Sequence, residues 1–179
     1  MSQQTPRRGN AGLIIALGLV ALLAIVSVIA WRNGQSAGQP AVGRPAPGIA
    51  VRDLAGHQVR LSSVQGPLLL TFWQTTCPAC QAEFKTIQSL WAEREKTGVP
   101  WTVVPVDLGE PAEVVKAFMA ENKYTFPVYL DASGAAGETY NVYYIPANFF
   151  LDGRHRLSSM SDGAIPGPEL KARLEALTR

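Results

Sequence analysis

Cys77 and Cys80 are the only cysteines in the chain, separated by Pro78 and Ala79 and preceded by the apolar run Leu68-Leu69-Leu70-Thr71-Phe72-Trp73. Such a run reads as a strand buried on both faces, and Pro78 suits the first position of a helix. A thiol at a helix start meets free backbone N–H groups and the positive end of the helix dipole, both of which favour the thiolate. Two thiols so placed can cycle between dithiol and disulfide. A bridge closing so short a loop constrains the unfolded chain little, so the pair is better explained as chemistry than as a structural staple.

Helical spacing separates the roles of the two sulfurs. Cys80, Phe84, Ile87 and Trp91 fall on one stripe of the expected helix, so Cys80 should face the core. Cys77 lies just before the first turn and is the expected nucleophile. Its thiolate attacks a partner disulfide, and Cys80 then attacks the mixed disulfide. Glu83 borders the same stripe and has two readings. A half-buried carboxylate has a raised pKa and can pass a proton to or from Cys80, whereas a solvated first-turn glutamate merely complements the dipole.

Rival chemistries find less support. Structural zinc takes four ligands, commonly from two such pairs, and the chain has no second pair. Its histidines, His57 and His155, lie beside turn residues and read as solvated. A Cu(I) site from Cys77, Cys80 and Met160 is chemically open, because thiolate and thioether are soft ligands. No nicotinamide or flavin motif appears, so no cofactor and no metal are expected. Trp73 reads as core or as an aromatic beside the dithiol. Glu110, Glu113 and Glu121 read as a solvated helix face. Pro146 alone reads as an ordinary trans proline at a strand start.

The elements that would position the dithiol alternate. A strand pair is expected at 49–54 and 58–61, turned at Ala55-Gly56, then the strand 68–73 and a helix over 78–96. A strand at 101–106, an amphipathic helix over 111–122 with Val114, Val115, Phe118 and Met119 inward, and a short strand at 126–130 follow. One or two helical turns at 135–140, a hairpin of 147–151 with 156–160 about Asp152-Gly153, and a helix over 168–177 complete the pattern. This is an α/β arrangement around a mixed sheet.

Ahead of it, Leu13 to Ala30 carries no charge and as a helix would span about 27 Å, close to the hydrocarbon thickness of a bilayer. Arg7 and Arg8 precede it and Trp31 follows, which suits a signal anchor with its N-terminus in the cytoplasm. The alternative is a cleaved signal peptide ending near Val28-Ile29-Ala30. Residues 33–48, rich in Gly and Pro, read as a linker. The chain of 179 residues has 16 basic and 14 acidic side chains. Without Arg7, Arg8 and Arg32 the remainder carries 13 basic and 14 acidic residues, a net charge of −1 with no electrostatic footprint for nucleic acid.

The ordered motifs resemble the membrane-anchored TlpA/ResA-like branch of extracytoplasmic thiol-disulfide oxidoreductases, in the thioredoxin superfamily. The likeness covers residues 42–178. It rests on Val42-Gly43-Arg44-Pro45-Ala46-Pro47, on Asp53-Leu54-Ala55-Gly56 with Val59-Arg60-Leu61-Ser62, and on Phe72 through Phe84 around the dithiol. Tyr124-Thr125-Phe126-Pro127-Val128 and Tyr144-Ile145-Pro146-Ala147 complete it. The resemblance implies a thioredoxin-like α/β fold, a mixed central sheet flanked by helices with an N-terminal β-hairpin extension, preceded by one transmembrane helix. It implies that Cys77 and Cys80 form the redox-active disulfide and that Glu83 is the active-site glutamate. It also implies a cis peptide before Pro146, an Ile145 backbone that pairs with substrate, and Trp73 as the aromatic lining the site. Thr76 stands where the family usually has tryptophan, and Thr71 where cytoplasmic thioredoxins carry a buried aspartate.

The expected organisation is a cytoplasmic tail (1–12), a transmembrane anchor (13–31), a linker (32–48) and a thioredoxin-like domain (49–179) facing the periplasm. The expected activity is reduction of disulfides in exported proteins, such as apocytochrome c or metal-site assembly proteins, with electrons from a transmembrane thiol carrier. Disulfide oxidation or isomerisation, or copper carriage by the same dithiol, are the alternatives.

Overall fold

The computed structural model describes residues 11–34 and 39–178. The tail with Arg7 and Arg8, and the side chain of Trp31, lie outside the described residues. The chain divides into two compact units, residues 1–38 and 39–179. The first contains helix α1 (Ala11–Gly34), 24 residues long. Its described large side chains, from Ile15 to Val26, are all exposed. Over the described residues alone, no helix is long and apolar enough to cross a membrane.

The second unit is built on β1 (Ala50–Asp53), β2 (Gln58–Arg60), β3 (Leu68–Trp73), α2 (Pro78–Thr97), β4 (Thr102–Asp107), α3 (Ala112–Glu121), β5 (Tyr129–Leu130), α4 (Ala135–Thr139), β6 (Ala147–Leu151), β7 (Leu157–Asp162) and α5 (Gly167–Ala176). The strands form one sheet in the order β2-β1-β5-β4-β3-β6-β7. β3 sits inside it, parallel to β4 and antiparallel to β6. The thioredoxin-like α/β fold, with its mixed sheet and N-terminal hairpin, is as expected.

Every residue of β3 is buried, because both faces of the sheet are covered. Alternate side chains go to opposite cores. Leu69 and Trp73 join Cys80, Phe84, Ile87 and Trp91 of α2, Val115 and Met119 of α3, and Leu170 and Leu174 of α5. Leu68, Leu70 and Phe72 join Ala136, Tyr140, Ile49 and Leu61 on the other face.

Three local expectations need correction. Val114 is exposed, since the buried stripe of α3 runs only through Val115 and Met119, with Phe118 half-buried beside it. The strand expected from Phe126 shortens to β5, because Pro127 has no N–H for a ladder and Phe126 and Val128 turn into the core. Residues 43–47 are not free linker. Gly43 N donates to Leu157 O (2.7 Å), Leu157 N to Arg44 O (2.9 Å) and Ala46 N to His155 O (2.8 Å). Tyr140 Oη donates to Pro47 O (2.9 Å). The segment thereby pairs backbone groups at the start of β7 that an edge strand would otherwise leave open.

Candidate active site

β3 ends at Trp73, and the loop Gln74-Thr75-Thr76 delivers Cys77 to the start of α2. Cys77 is the N-cap of that helix in extended backbone geometry, followed by Pro78 inside the first turn. The two sulfurs are joined as a disulfide with Cα atoms 5.3 Å apart. Cys77 is half-buried and Cys80 is fully buried, the division that the helical stripe implies. The Cys80 amide donates to Cys77 Sγ (3.1 Å), so a helix-end N–H is already aimed at the Cys77 sulfur.

The segment before β6 closes over the dithiol. Ile145–Pro146 is a cis peptide, and the Ile145 carbonyl oxygen lies 3.8 Å from Cys77 Sγ. Pro146 carries no N–H, so it offers the sulfur no backbone donor. Tyr143 and Tyr144, immediately upstream, are largely exposed. Trp73 takes the core reading of the two. Its ring is fully buried, 4.2 Å from Phe84 and 5.4 Å from Phe118 between ring centroids. It supports the site from beneath and presents no surface to a client.

Glu83 is buried at 2% exposure, so the reading as a solvated first-turn residue does not hold. Its Oε2 accepts from the Ile165 amide (2.8 Å) and from Asn148 Nδ2 (3.1 Å). Burial pushes the carboxyl up to about 7, although those two hydrogen bonds oppose the rise. A carboxyl poised near neutrality, one helical turn from a buried thiol, is suited to exchange a proton with it.

Glu110 was expected on a solvated helix face and is instead half-buried behind the loop. Its carboxylate accepts from Thr75 N (2.5 Å) and Thr75 Oγ1 (2.7 Å), while its own amide donates to Asp107 Oδ1 (2.8 Å). Burial alone would raise the Glu110 carboxyl, but hydrogen bonds from Asp107 and Thr75 outweigh it and hold the group low. Asp107, at the end of β4, is pushed up by burial and by the neighbouring Glu110. Gln74 Nε2 to Leu108 O (2.7 Å) and Gln81 Nε2 to Thr75 O (2.7 Å) complete the clamp on the loop. Neither Asn148 nor the role of Glu110 carried a local sequence signal, since their partners are 65 and 35 residues away.

Met160 is not beside the dithiol. It pairs in register with Phe149, which faces the core opposite to the one holding Cys80. The alternative copper donor set therefore loses its thioether. His57 lies on the surface, 3.0 Å from Asp53 Oδ2, away from the sulfurs in the β1–β2 turn.

This geometry has relatives. The profile of the AhpC/TSA family matches residues 42–160. The thiol-disulfide oxidoreductase ResA of Geobacillus kaustophilus is 31% identical over 138 residues, covering 76% of this chain and 78% of that protein. The chain belongs to the AhpC/TSA family, among its ResA-like thiol-disulfide oxidoreductases. The sporulation thiol-disulfide oxidoreductase A of Bacillus subtilis is 28% identical over 157 residues, 86% of this chain and 93% of that one. The crystal structure of StoA from Bacillus subtilis superposes with a TM-score of 0.62 at 27% identity, over 75% of this chain and 98% of that chain. The activity is thus thiol-disulfide exchange, carried by the one dithiol the chain possesses.

Proposed function

We propose that this ResA-like protein is a membrane-anchored, extracytoplasmic reductant of disulfides in exported proteins. The observation that carries the reading is the pairing of a helix-capping, half-buried Cys77 with a buried Cys80 that has Glu83 one turn away. In the forward reaction the Cys77 thiolate attacks a client disulfide, forming a mixed disulfide and releasing one client thiolate. Glu83 takes the Cys80 proton. The Cys80 thiolate attacks Cys77 Sγ, the Cys77–Cys80 bond forms, and the second client thiolate leaves and is protonated. The client gains two electrons, and the protein loses two.

Direction is read from how few side chains stabilise the Cys77 thiolate beyond the helix-end N–H groups. Pro78 and Ala79 offer no cationic side chain, and the Thr75 amide and hydroxyl are committed to Glu110. A less stabilised thiolate makes a weaker oxidant and a better reductant. Re-reduction then needs a thiol donor, for which a transmembrane thiol carrier is the fitting class. Clients of this kind include apocytochrome c cysteines and copper-site assembly proteins.

The anchor is α1. At 24 residues it would extend about 36 Å, and its described large side chains are aliphatic and exposed around the helix. A helix apolar on all sides is suited to lipid. The compartment follows from Arg7 and Arg8 ahead of the apolar run.

The test is the reduction potential of the Cys77–Cys80 couple, equilibrated against glutathione or dithiothreitol buffers. A value near or below about −250 mV is expected of a reductant. A value near about −120 mV, that of a strong periplasmic oxidant, would reverse the proposed electron flow.

A further inference from the structure

Among the described residues, Asn148 is the one fully buried amide side chain. It stands on β6 in the middle of the sheet, directly across from Thr71 of β3 and Ser161 of β7. The core under α2 and α5 packs on that face of the sheet through Leu69, Trp73 and Phe150. An apolar residue would pack there without the cost of burying an amide. The amide is spent on two partners. Nδ2 donates to Glu83 Oε2 (3.1 Å) and to the Gly163 carbonyl (3.3 Å). Gly163 in turn donates its N–H to Pro146 O (2.7 Å), and two residues later Ile165 N donates to Glu83. One side chain therefore ties the buried carboxylate to the turn after β7, and through that turn to the cis-proline segment beside Cys77.

We propose that Asn148 is a positioning residue for disulfide exchange: it aims the Glu83 carboxylate and keeps it available as the proton acceptor for Cys80. This rests on the exchange reading above and deepens it. The amide does not touch the sulfurs and acts only through Glu83. A hydrogen bond to a charged group favours the charged form. Desolvation pulls the other way and is the larger influence on this carboxyl, so each donor counts. The surrounding groups do not substitute for it. On α2 the titratable neighbour is Cys80 itself. From β3 and β7 come the neutral hydroxyls of Thr71 and Ser161. At the β7 end Asp162 is exposed. On α5 the guanidinium of Arg173 pairs with Glu169 and lies over the Phe150 ring.

The experiment titrates the Glu83 carboxyl by carbon NMR in the full-length protein, in the parent and in Asn148→Leu. It also follows the pH dependence of exchange with a disulfide-bonded model peptide. Removing the amide should move the Glu83 midpoint upward by about one to two pH units, the equivalent of one hydrogen bond to a charged group. Exchange at neutral pH should slow by about tenfold and recover at higher pH. In a Glu83→Gln background, Asn148→Leu should leave the pH profile unchanged, whereas a merely structural role would slow both backgrounds alike. Where Asn148→Leu does not fold, Asn148→Val, which has the shape of its neighbour Thr71 and no donor, is read in the same way. An unmoved Glu83 midpoint overturns the role of Asn148 even if exchange is robust. Absence of exchange in the parent overturns the function instead, and the NMR midpoint still decides the role of Asn148.

Discussion

Replacing Glu83 by glutamine should make the folded protein more stable at pH 8 and leave it nearly unchanged at pH 4. In the folded chain, burial holds the Glu83 carboxyl at about 7, against 4.5 for the unperturbed group. Below pH 4.5 both folded and unfolded chains keep the proton, and Glu83 costs nothing extra. Between 4.5 and about 7 the unfolded chain releases a proton that the folded chain retains, so stability falls as pH rises through this window. Above it both are ionised, and the folded state carries the full cost of a buried charge. A separation of about two and a half units at about 1.4 kcal/mol each gives about 3 kcal/mol. Glutamine keeps an oxygen to accept from Ile165 and Asn148, places its amide nitrogen where Oε1 has no protein partner, and does not ionise. The assay is urea unfolding of the oxidised unit of residues 39–179 from pH 4 to pH 8, parent against variant. The raised Asp107 carboxyl gives a slope of the same sign in both proteins and cancels in the difference. The stability difference should open through the window and flatten above it. Curves that run parallel across the whole range would refute the argument that Glu83 is buried as a near-neutral acid.

The remaining expectations concern the dithiol and the docked segment before β1. Cys77→Ser should abolish exchange, while Cys80→Ser should accumulate mixed disulfides with clients, visible as adducts on non-reducing gels. Rapid alkylation of Cys80 with a protected Cys77 would reverse the assignment of the two sulfurs. Tyr140→Phe removes the hydroxyl that satisfies the Pro47 carbonyl, both of them buried, and should cost about 1–2 kcal/mol. Limited proteolysis should then cut faster between residues 39 and 47, and an unchanged cutting rate would mean that other bonds hold the segment.

The sequence could be read wherever one short stretch decides the outcome. The stripe Cys80, Phe84, Ile87, Trp91 placed one sulfur inside and the other at the helix end, because helical period and proline position are local properties. The inner strands β3, β4 and β6 followed from apolar runs, and the hairpins from Ala55-Gly56 and Asp152-Gly153. The cis peptide before Pro146 was not readable from that residue alone, since most such bonds are trans, and it came only through family resemblance. Local patterning failed at the edges: at Val114, where a helix covers less of the sheet than its apolar residues suggest, and at 43–47, where a proline-rich stretch pairs with a distant strand.

The carboxylates show why the site itself was only half legible. Glu83 and Glu110 are both acidic residues in or before a helix; spacing from Cys80 leaves the burial of Glu83 open, and nothing local marks Glu110 as more than a solvated residue. Their chemistry is set by donors that the fold imports. Glu110 receives two hydrogen bonds from Thr75 and stays ionised, a fixed brace behind the dithiol loop. Glu83 is taken out of water more completely than its two donors can offset, and so sits near neutrality. A brace must not change charge during turnover, and a proton acceptor must. The separation of those roles lies in the sheet register that brings Asn148 under α2, and in the β4–α3 connection that brings Glu110 behind Thr75. Both are long-range consequences of the fold, which is why the dithiol announces the reaction while its proton chemistry emerges only with the tertiary structure.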